Sequence, residues 1–352
     1  MEEREQILLQ ILTGFLGSGK TTLLNKVIQD PKMKGTVLII NEVGEIGIDD
    51  KLISTDNPVV LLDSGCICCS LQDGLIQTLH FLLDQKESGE LNFNRVIIET
   101  TGIADPAPIL NMIFDFLDLD IAYKFAGTVT VVDGVNATEE LKNNYESVKQ
   151  IALADKVIIS KCDLINENDI AVLKDTILAL NPTTTIYESS VDNSPIDAFL
   201  DFKIFETPKD LNTILSWINN KRKDLNLASG MKLVKSSSIS KKGVLATHSN
   251  YDTIAISFDK PLNRISVIQA FNAVNEQYGS SVLRMKGIFD FGEGYPFVIH
   301  GVCGECYPIS NLAEWEGNKP FSEMVVICSP NIAPTIEHMF KTMIKPIDES
   351  FK

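Results

Sequence analysis

Residues 14–22 read "GFLGSGKTT", in which Gly14 is followed by four residues and then by Gly19, Lys20 and Thr21. This spacing fits the phosphate-binding P-loop pattern G-x-x-x-x-G-K-[ST]. The context fits as well, because the apolar run "QILLQILTG" precedes the motif and "TTLLNKVIQD" continues it with the character of a helix. The stretch therefore predicts a strand, a phosphate-binding turn and a helix, in that order.

Each residue type of this turn has its own task at a nucleotide. Glycines allow backbone N–H groups to converge on the phosphates, the lysine supplies a point charge to the β- and γ-phosphates, and the threonine hydroxyl ligates Mg²⁺. We therefore expect Lys20 to act in catalysis and Thr21 to hold Mg²⁺. The predicted nucleotide-binding residues of the motif are Gly14, Gly17, Ser18, Gly19, Lys20, Thr21 and Thr22.

Short β-branched runs alternate with longer helical stretches through the first 205 residues or so. The runs after the P-loop are "GTVLIINE", "PVVLLD", "RVIIETTG", "GTVTVVDG", "DKVIISKCD" and "TTIYESS". Continuous apolar strands are typical of a parallel sheet that helices cover on both faces. The sequence thus predicts an α/β P-loop NTPase domain with a mostly parallel sheet, in which the chemistry gathers at the carboxyl ends of the strands.

Two strand ends supply further candidates for the nucleotide site. In "RVIIETTG", Glu99 ends a strand and Gly102 follows it. We expect Glu99 to hold the water shell of Mg²⁺ or to orient the attacking water, and Gly102 to bind the nucleotide. In "VIISKCDL", Lys161 and Asp163 match the guanine-binding pattern Asn-Lys-x-Asp, whose aspartate accepts hydrogen bonds from the base. Ser160 stands in place of the Asn, so the pattern favours GTP but sets its preference over ATP less firmly.

Three of the 7 cysteines, Cys66, Cys68 and Cys69, lie in "SGCICCSL", directly after the strand "VVLLD". Thiolates this close together repel one another and oxidise easily, which disfavours a structural packing role and indicates a soft metal ion, a disulfide or a redox reaction. A predicted helix, "SLQDGLIQTLHFLLDQ", follows them, and a helix amino terminus favours the thiolate form that binds metal. A metal site is the interpretation that we favour.

Three thiolates need a fourth ligand to complete a tetrahedral site. The loop "NEVGEIGIDD" follows the strand "TVLII" and offers Glu42 or, as a second choice, Glu45. Sulfur ligands suit Zn²⁺, Co²⁺, Ni²⁺ and Cu⁺, so the ligand types do not name the ion.

A smaller domain is predicted after a break in the strand pattern. Residues 206–250 contain one helical stretch, "DLNTILSWINNKRKDL", and a Ser/Lys-rich run, "KLVKSSSISKKG". Residues 251–352 read as several strands, an amphipathic helix and a closing helix, "NIAPTIEHMFKTMI". We therefore divide the chain into an NTPase domain at 1–205, a linker at 206–250 and a small α+β domain at 251–352.

The composition excludes some classes of protein. The 352 residues carry a formal net charge of −16, which argues against nonspecific binding to nucleic acid or to an anionic membrane surface. No apolar run approaches the roughly 20 residues that cross a bilayer, and the acidic start "MEEREQ" differs from a signal peptide. We therefore expect a cytoplasmic protein, whose thiols bind metal or react rather than form disulfides.

Seven motifs occur in order along nearly the whole chain: "TGFLGSGKTTLL", "NEVGEIGIDD", "SGCICCSL", "VIIETTGIADP", "VVDG", "QIALADKVIISKCDL" and "LRMKGIFDF". Together they closely resemble the CobW-type family of metal-chaperone GTPases. The resemblance implies a GTPase domain, a family-type carboxyl-terminal domain and a Cys-x-Cys-Cys motif that binds a transition metal beside the nucleotide. It also implies a client, either a metalloenzyme or a protein of a cobalamin-type cofactor pathway.

The resemblance assigns a role to each matching residue. By this resemblance Lys20 and Thr21 bind the phosphates and Mg²⁺, and Glu99 has the Walker B role. Lys161 and Asp163 bind the guanine base. The transition metal is assigned to Cys66, Cys68 and Cys69.

The chain departs from the family in its histidines. Many members carry a His-rich stretch, whereas this chain has 4 histidines in all, so metal storage in the linker or tail is not expected. The run "HGVCGECYP" instead brings His300, Cys303 and Cys306 close together in the smaller domain. A second metal site there would need a turn at Gly304 and Glu305. A redox pair and buried thiols remain open as other interpretations of this run.

We expect a GTPase that binds Zn²⁺, Co²⁺ or Ni²⁺ and delivers the ion to a client. Its nucleotide state is expected to control its affinity for the ion. Two other functions remain open at the level of sequence. A thiol-redox-regulated GTPase would use oxidation of the cysteine cluster, and a small-molecule kinase would use the same P-loop and Mg²⁺. The kinase is less favoured, because it needs neither the cysteine motif nor a base-specific lysine and aspartate. A weak homo-oligomer is left open as well.

Overall fold

The computed structural model describes residues 6–40, 57–61, 70–115, 122–190, 195–200, 251–306, 310–311, 315 and 320–347. The chain divides into two compact units. One consists of Met1–Leu173 and Thr185–Phe202, and the other of Lys174–Thr184 and Lys203–Lys352. The predicted linker, with its helix, lies outside the described residues.

Strands and helices alternate through residue 200, as the sequence predicts. The strands are β1 (Ile7–Thr13), β2 (Thr36–Ile40), β3 (Val59–Leu61), β4 (Arg95–Glu99), β5 (Tyr123–Asp133), β6 (Lys156–Ser160) and β7 (Thr185–Glu188). The helices are α1 (Lys20–Val27), α2 (Ser70–Glu87), α3 (Ala107–Asp115), α4 (Ala137–Asn143), α5 (Tyr145–Leu153), α6 (Glu167–Leu180) and α7 (Asp197–Leu200). Two short 3-10 helices span Pro31–Met33 and Cys162–Leu164.

The seven strands form one sheet in the order β3-β2-β4-β1-β5-β6-β7. Every pair of neighbours in it is parallel. Strands β2, β4 and β6 are buried at every residue, so both of their faces are covered. This explains why they read as unbroken apolar runs, and it confirms the predicted P-loop NTPase fold with a parallel sheet.

The register brings the carboxyl ends of the strands to one edge of the sheet. Ile40 at the end of β2 pairs with Leu61 of β3 on one side and with Glu99 of β4 on the other. Farther along the sheet, Asp133 at the end of β5 pairs with Ser160 at the end of β6. The strand ends that the sequence singles out therefore share this edge.

The carboxyl-terminal part of the chain is an α+β unit, as predicted. Its strands are β8 (Asp252–Phe258), β9 (Val282–Asp290), β10 (Pro296–Val302), β11 (Glu305–Cys306), β12 (Ser310–Asn311) and β13 (Ser322–Cys328). Its helices are α8 (Arg264–Tyr278), a 3-10 helix at Gly279–Ser281 and α9 (Ala333–Met343). The sheet is antiparallel with the order β11-β10-β9-β13-β8, and β12 pairs with β10.

Aromatic side chains lie at the centre of the core of this second unit. Phe271 of α8 makes edge-to-face contacts with Phe289 of β9 and Phe340 of α9, at centroid distances of 5.8 and 5.3 Å. All three rings are fully buried, so the two helices and the sheet share one core. No helix within the part of the chain that the structure describes is long and apolar enough to cross a bilayer.

Candidate functional site

The P-loop connects the end of β1 to the start of α1. Gly14 has φ = +144°, and a Cβ there would lie 2.2 Å from Val131 O of β5, so the loop can approach the sheet this closely only with glycine. Gly17 and Gly19 also have positive φ, at 74° and 90°. Helix α1 begins at Lys20, which gives the turn the backbone N–H groups of a helix amino terminus.

Lys20 lies within this loop rather than in solvent. Its side chain is buried, and Nζ donates to Gly14 O at 2.7 Å and to Phe15 O at 3.2 Å. The ammonium group is therefore held at the concave side of the turn, where a phosphate would need a compensating charge. Ser18 Oγ is also fully buried, and it has no hydrogen-bond partner among the described residues. A glycine cradle with such a hydroxyl fits a phosphate group.

The structure joins the two residues predicted for Mg²⁺. Thr21 Oγ1 donates to Glu99 Oε1 at 2.9 Å, although the two residues are 78 positions apart in sequence. Glu99 is 4% exposed at the end of β4, and Thr21 is exposed at the start of α1. A hydroxyl and a carboxylate are hard oxygen ligands, so this pair fits Mg²⁺. Thr22 is exposed on the next residue of α1.

Gly102 lies directly against the P-loop. A Cβ on it would lie 2.7 Å from both Leu16 N and Leu16 Cδ2, so no other residue fits without a shift of the loop. Thr100 reinforces this approach, because its N–H donates to Leu12 O and its hydroxyl to Thr13 Oγ1, both at 2.9 Å. These contacts place Gly102 against the P-loop, and its part in nucleotide binding stays a prediction.

Lys161 links the predicted base-binding loop to the P-loop. It adopts a left-handed backbone conformation with φ = 56°, and its Nζ donates to Gly17 O at 2.9 Å and to Asp133 Oδ2 at 2.7 Å. The lysine side chain thereby connects the end of β6 to the P-loop and to Asp133 at the end of β5, and its contact with the base stays a prediction. Asp163 is exposed in the 3-10 helix Cys162–Leu164, where its carboxylate is accessible to a ligand.

Asp133 is a member of the site that sequence reasoning missed. Its carboxylate is 1% exposed and accepts hydrogen bonds from Lys161, from Asn136 Nδ2 and from the N–H groups of Val135 and Asn136. Burial alone would raise the pKa of Asp133, but these hydrogen bonds outweigh it and hold the pKa below its usual value. The signal for it was present in "VVDG", which places an acidic residue at a strand end beside Ser160.

A second acidic residue near the P-loop, Glu140 of α4, carried no sequence signal. Burial raises its pKa to about 7, and the negative charge of Asp133 adds to this effect. The positive charges of Lys161 and Lys20 oppose it. The half-buried carboxyl thus shares an electrostatic cluster with both lysines of the site.

The predicted metal ligands lie outside the described residues. This holds for Glu42, Glu45, Cys66, Cys68 and Cys69. The described ends of the adjoining strands constrain where these segments leave the sheet. Since Ile40 pairs with both Leu61 and Glu99, the chain departs from β2 and from β3 at the edge where Glu99 ends β4.

The described part of the predicted second metal site lies in the antiparallel sheet. His300 of β10 is 4% exposed, and it pairs with Lys286 of β9 across the ladder. Burial and then the charges of Arg284 and Lys286 hold the pKa of His300 well below its usual value. Cys303 has φ = 51° in the turn between β10 and β11, so this turn falls one residue before the predicted Gly304-Glu305 position.

The backbone register is given for two members of this second set, His300 and Cys306, and metal binding by the set stays a prediction. Cys306 pairs with Gly301 in the ladder, and the positive charges of Arg284 and Lys286 act on His300. Within the described ranges and their side chains, no group of three or more His, Cys, Asp or Glu side chains is arranged to hold a metal ion. Of the other thiols, Cys328 is fully buried with its pKa raised to about 12 by burial and by the charge of Asp252.

A strand that ends in a glycine turn, a helix that starts with lysine and threonine, and a buried carboxylate on the next strand together define a P-loop NTPase. Two family models match the chain. The nucleotide-binding domain of CobW/HypB/UreG matches residues 8–188, and the cobalamin synthesis protein cobW C-terminal domain matches residues 251–343. The chain therefore belongs to the CobW/HypB/UreG family, and it is a GTPase.

Named relatives extend over most of the chain. The zinc chaperone YjiA of Escherichia coli is 28% identical over 328 residues, which cover 91% of this chain and 93% of that protein. The zinc-regulated GTPase metalloprotein activator 1 of Schizosaccharomyces pombe is 31% identical over 329 residues, which cover 86% and 77% of the two chains. The crystal structure of Zn(II)-bound YjiA GTPase from E. coli aligns with a TM-score of 0.65 at 24% identity, over 97% of this chain and 99% of that one.

Proposed function

We propose that this GTPase carries a transition metal, with Zn²⁺ as its first candidate, and delivers it to a client metalloprotein or to a cofactor pathway. The cargo ion binds to Cys66, Cys68 and Cys69, with Glu42 as the fourth ligand. Co²⁺ and Ni²⁺ are the alternative ions for the same ligands. Zn²⁺ comes first because two relatives are named for zinc.

One observation carries the proposal: Ile40 pairs with both Leu61 and Glu99. The segment that contains Glu42 begins directly after Ile40, and the one that contains the three cysteines begins directly after Leu61. The Glu42 segment therefore starts beside the carboxylate that binds the P-loop threonine, and the cysteine segment starts one strand farther away at the same end of the sheet. This arrangement supports a metal site next to the nucleotide and coupled to it.

The residues of the nucleotide site have separate tasks in this proposal. Lys20 neutralises charge on the phosphates, and Thr21 and Glu99 hold Mg²⁺, which supplies further positive charge to the γ-phosphate. Asp163 accepts hydrogen bonds from guanine, and the stem of Lys161 lies along the base.

The nucleotide gates the cargo by linkage. If the GTP-bound state holds the Glu42 segment and the cysteine segment in one arrangement, GTP and the metal raise each other's affinity by the same factor. A coupling free energy of about 1–3 kcal/mol is typical, which corresponds to roughly 5- to 150-fold in affinity. Hydrolysis removes the γ-phosphate and with it this support, so the ion becomes available to the client.

The test is an anaerobic titration with Zn²⁺, Co²⁺ and Ni²⁺ in the presence of Mg²⁺ and either GDP or a nonhydrolysable GTP analogue. Wild type is compared with the Cys66/Cys68/Cys69→Ser variant. Cys303→Ser serves as the matched control, because it removes a part-exposed thiol of the second unit and leaves the cluster intact.

The proposal expects tighter metal binding with the GTP analogue, loss of that binding in the triple variant and no change in the control. Equal metal affinity in both nucleotide states would remove the gating. Metal binding that survives in the triple variant but is lost in Cys303→Ser would move the site to the second unit. GTP hydrolysis that responds to cysteine oxidation in the absence of metal would favour the redox switch instead.

A further inference from the structure

The loop that follows Glu99 is fastened to helix α5 by a glutamine. Gln150 is 1% exposed, and its Nε2 donates to Gly102 O at 3.3 Å and to Ala104 O at 3.0 Å. One amide group therefore spans two carbonyls of the loop. The helix itself is fixed to the sheet beside Gln150, because Thr130 Oγ1 of β5 donates to Gln150 O at 2.9 Å.

A second link from α5 reaches the same loop one residue farther on. Lys149 forms an ion pair with Asp105 Oδ2, and 15% of its side chain is exposed. Asp105 in turn accepts a hydrogen bond from Ala107 N at 2.9 Å through its other oxygen, and so fixes the entry to α3. Helix α5 thus binds residues 102–105 at three points, namely the carbonyls of Gly102 and Ala104 and the carboxylate of Asp105.

The loop passes this restraint to the nucleotide site. Gly102, whose carbonyl Gln150 binds, lies against Leu16 of the P-loop so closely that a Cβ would not fit. Three residues earlier the same segment contains Glu99, which accepts the hydrogen bond from Thr21. A displacement of the loop would therefore change both the packing on the P-loop and the position of the carboxylate assigned to Mg²⁺.

We propose that Gln150 is a positioning residue for GTP hydrolysis, which holds the Glu99–Asp105 segment where the terminal phosphate and its Mg²⁺ are bound. We expect GDP to be held mainly by the P-loop and the base-binding loop, where Lys161 binds Gly17 O and Asp133. Gln150 donates to Gly102 and Ala104 instead, so its effect on GDP is limited to the packing of Gly102 against Leu16. Its loss should therefore weaken binding of the triphosphate far more than binding of the diphosphate.

The proposal depends on the GTPase activity and not on metal delivery. Its test uses nucleotides and Mg²⁺ alone. Failure of the metal-delivery proposal would therefore not contradict the role of Gln150, and failure of the Gln150 proposal would not contradict metal delivery.

Gln150→Met is the first variant, because it keeps the length of the side chain and removes the N–H donor. Gln10→Met is a closely matched control. Gln10 is likewise fully buried, and its Nε2 donates to a backbone carbonyl, Phe199 O, at 2.8 Å. In both glutamines Oε1 has no partner among the described residues. The two variants therefore carry a similar structural cost, but only one of them touches the loop.

The affinities for GDP and for a nonhydrolysable GTP analogue are measured with Mg²⁺, together with single-turnover hydrolysis. For Gln150→Met we expect the GTP-analogue affinity and the hydrolysis rate to fall by about tenfold, as the loss of two amide hydrogen bonds implies, with GDP affinity within about twofold. Gln10→Met should leave the ratio of the two affinities unchanged. Equal losses for both nucleotides, no loss at all, or the same change in both variants would overturn the proposal.

Gln150→Glu is a second test variant, in which the new side chain has nearly the same volume as glutamine. This variant can be measured even if Gln150→Met folds poorly. An ionised carboxylate repels the carbonyls of Gly102 and Ala104, whereas a protonated carboxyl can donate to one of them. Burial favours the protonated form. The hydrolysis rate of this variant relative to wild type should therefore rise as the pH falls from 8 to 6. Lys149 and Asp105 are the charged pair beside this position and are present in both proteins, so the variant is compared with wild type at each pH. A flat ratio would contradict the role of the donor.

Discussion

Ser160 Oγ donates a hydrogen bond to Ser18 O at 2.6 Å and so joins the end of β6 to the P-loop. The same oxygen lies 3.2 Å from Val132 O of β5. Ser160 occupies the position at which the guanine-binding pattern has an asparagine, which on sequence grounds weakens the expected preference for guanine. In the structure its hydroxyl binds the backbone of the P-loop, and this contact does not require a base.

Ser160→Ala should therefore lower the affinities for GDP and for a GTP analogue by the same factor, up to about tenfold, because one buried hydrogen bond is lost. The preference for GTP over ATP should stay as in wild type. Titration with the three nucleotides checks this. Ser147→Ala, which removes a buried hydroxyl without a partner among the described residues, is the control. A change in the GTP-to-ATP ratio would show that Ser160 reads the base.

Asp163→Asn should remove the preference for guanine. The exposed carboxylate is predicted to accept hydrogen bonds from the base, and hydrogen bonds to a charged group contribute about 1.5–3 kcal/mol. We therefore expect GTP affinity to fall by roughly 10- to 100-fold and ATP affinity to stay within about twofold. The same titrations measure it, with the exposed Asp169→Asn as the control. An unchanged GTP affinity would move base recognition to other residues.

Asp133→Asn should destabilise the protein in a pH-dependent way. Its ion pair with Lys161 is lost, at a cost of about 1–3 kcal/mol given that 35% of the lysine side chain is exposed. The pKa of Asp133 is lowered in the folded protein, so its contribution is present above its ordinary pKa of 3.8 and is lost as the pH falls through the folded value. Denaturant unfolding should show the largest difference from wild type at neutral pH and a smaller one below about pH 4. A difference that is constant with pH would point to packing instead.

Glu140→Gln should stabilise the nucleotide-free protein at alkaline pH. The pKa of this carboxyl is raised from 4.5 to about 7, so the folded state binds more protons than the unfolded state between these values, and stability falls as the pH rises through them. At pH 8 the free energy of unfolding of the variant should exceed that of wild type by less than about 1 kcal/mol after solvent screening, which raises its unfolding temperature. At pH 4 the two proteins should unfold at the same temperature. Glu139→Gln, at the adjacent exposed position, is the control variant. A gain that persists at pH 4 would contradict the assignment.

The sequence predicts the fold and the P-loop because both depend on local patterns. Unbroken apolar runs can be buried only in a sheet that is covered on both faces, and this holds for β2, β4 and β6. The spacing of Gly14, Lys20 and Thr21 carries the chemistry of the turn within eight positions. Residues at strand ends, such as Glu99, then follow from the rule that parallel strands place their carboxyl ends at one edge.

Contacts between distant segments could not be predicted in this way. Nothing in "KNNYESVKQIAL" indicates that Gln150 binds the loop that contains Gly102, since the pairing depends on how α5 packs. The raised pKa of Glu140 likewise arises from burial and from the negative charge of Asp133, against the opposing charges of Lys161 and Lys20. The backbone pairing of Cys306 with Gly301, rather than with His300, likewise depends on the register of the hairpin.

The contact between Lys161 and Gly17 spans 144 residues, which has a consequence for biosynthesis. A nascent chain presents its P-loop long before the ribosome has made β6, so the two halves of the nucleotide pocket cannot meet until nearly half of the protein has been synthesised. GTP can then bind only after the central sheet has assembled, and at a hundredfold excess over its dissociation constant it would add about 2.7 kcal/mol to the stability of the folded chain. The cellular nucleotide pool would therefore act as a folding ligand for this protein before it acts as its substrate.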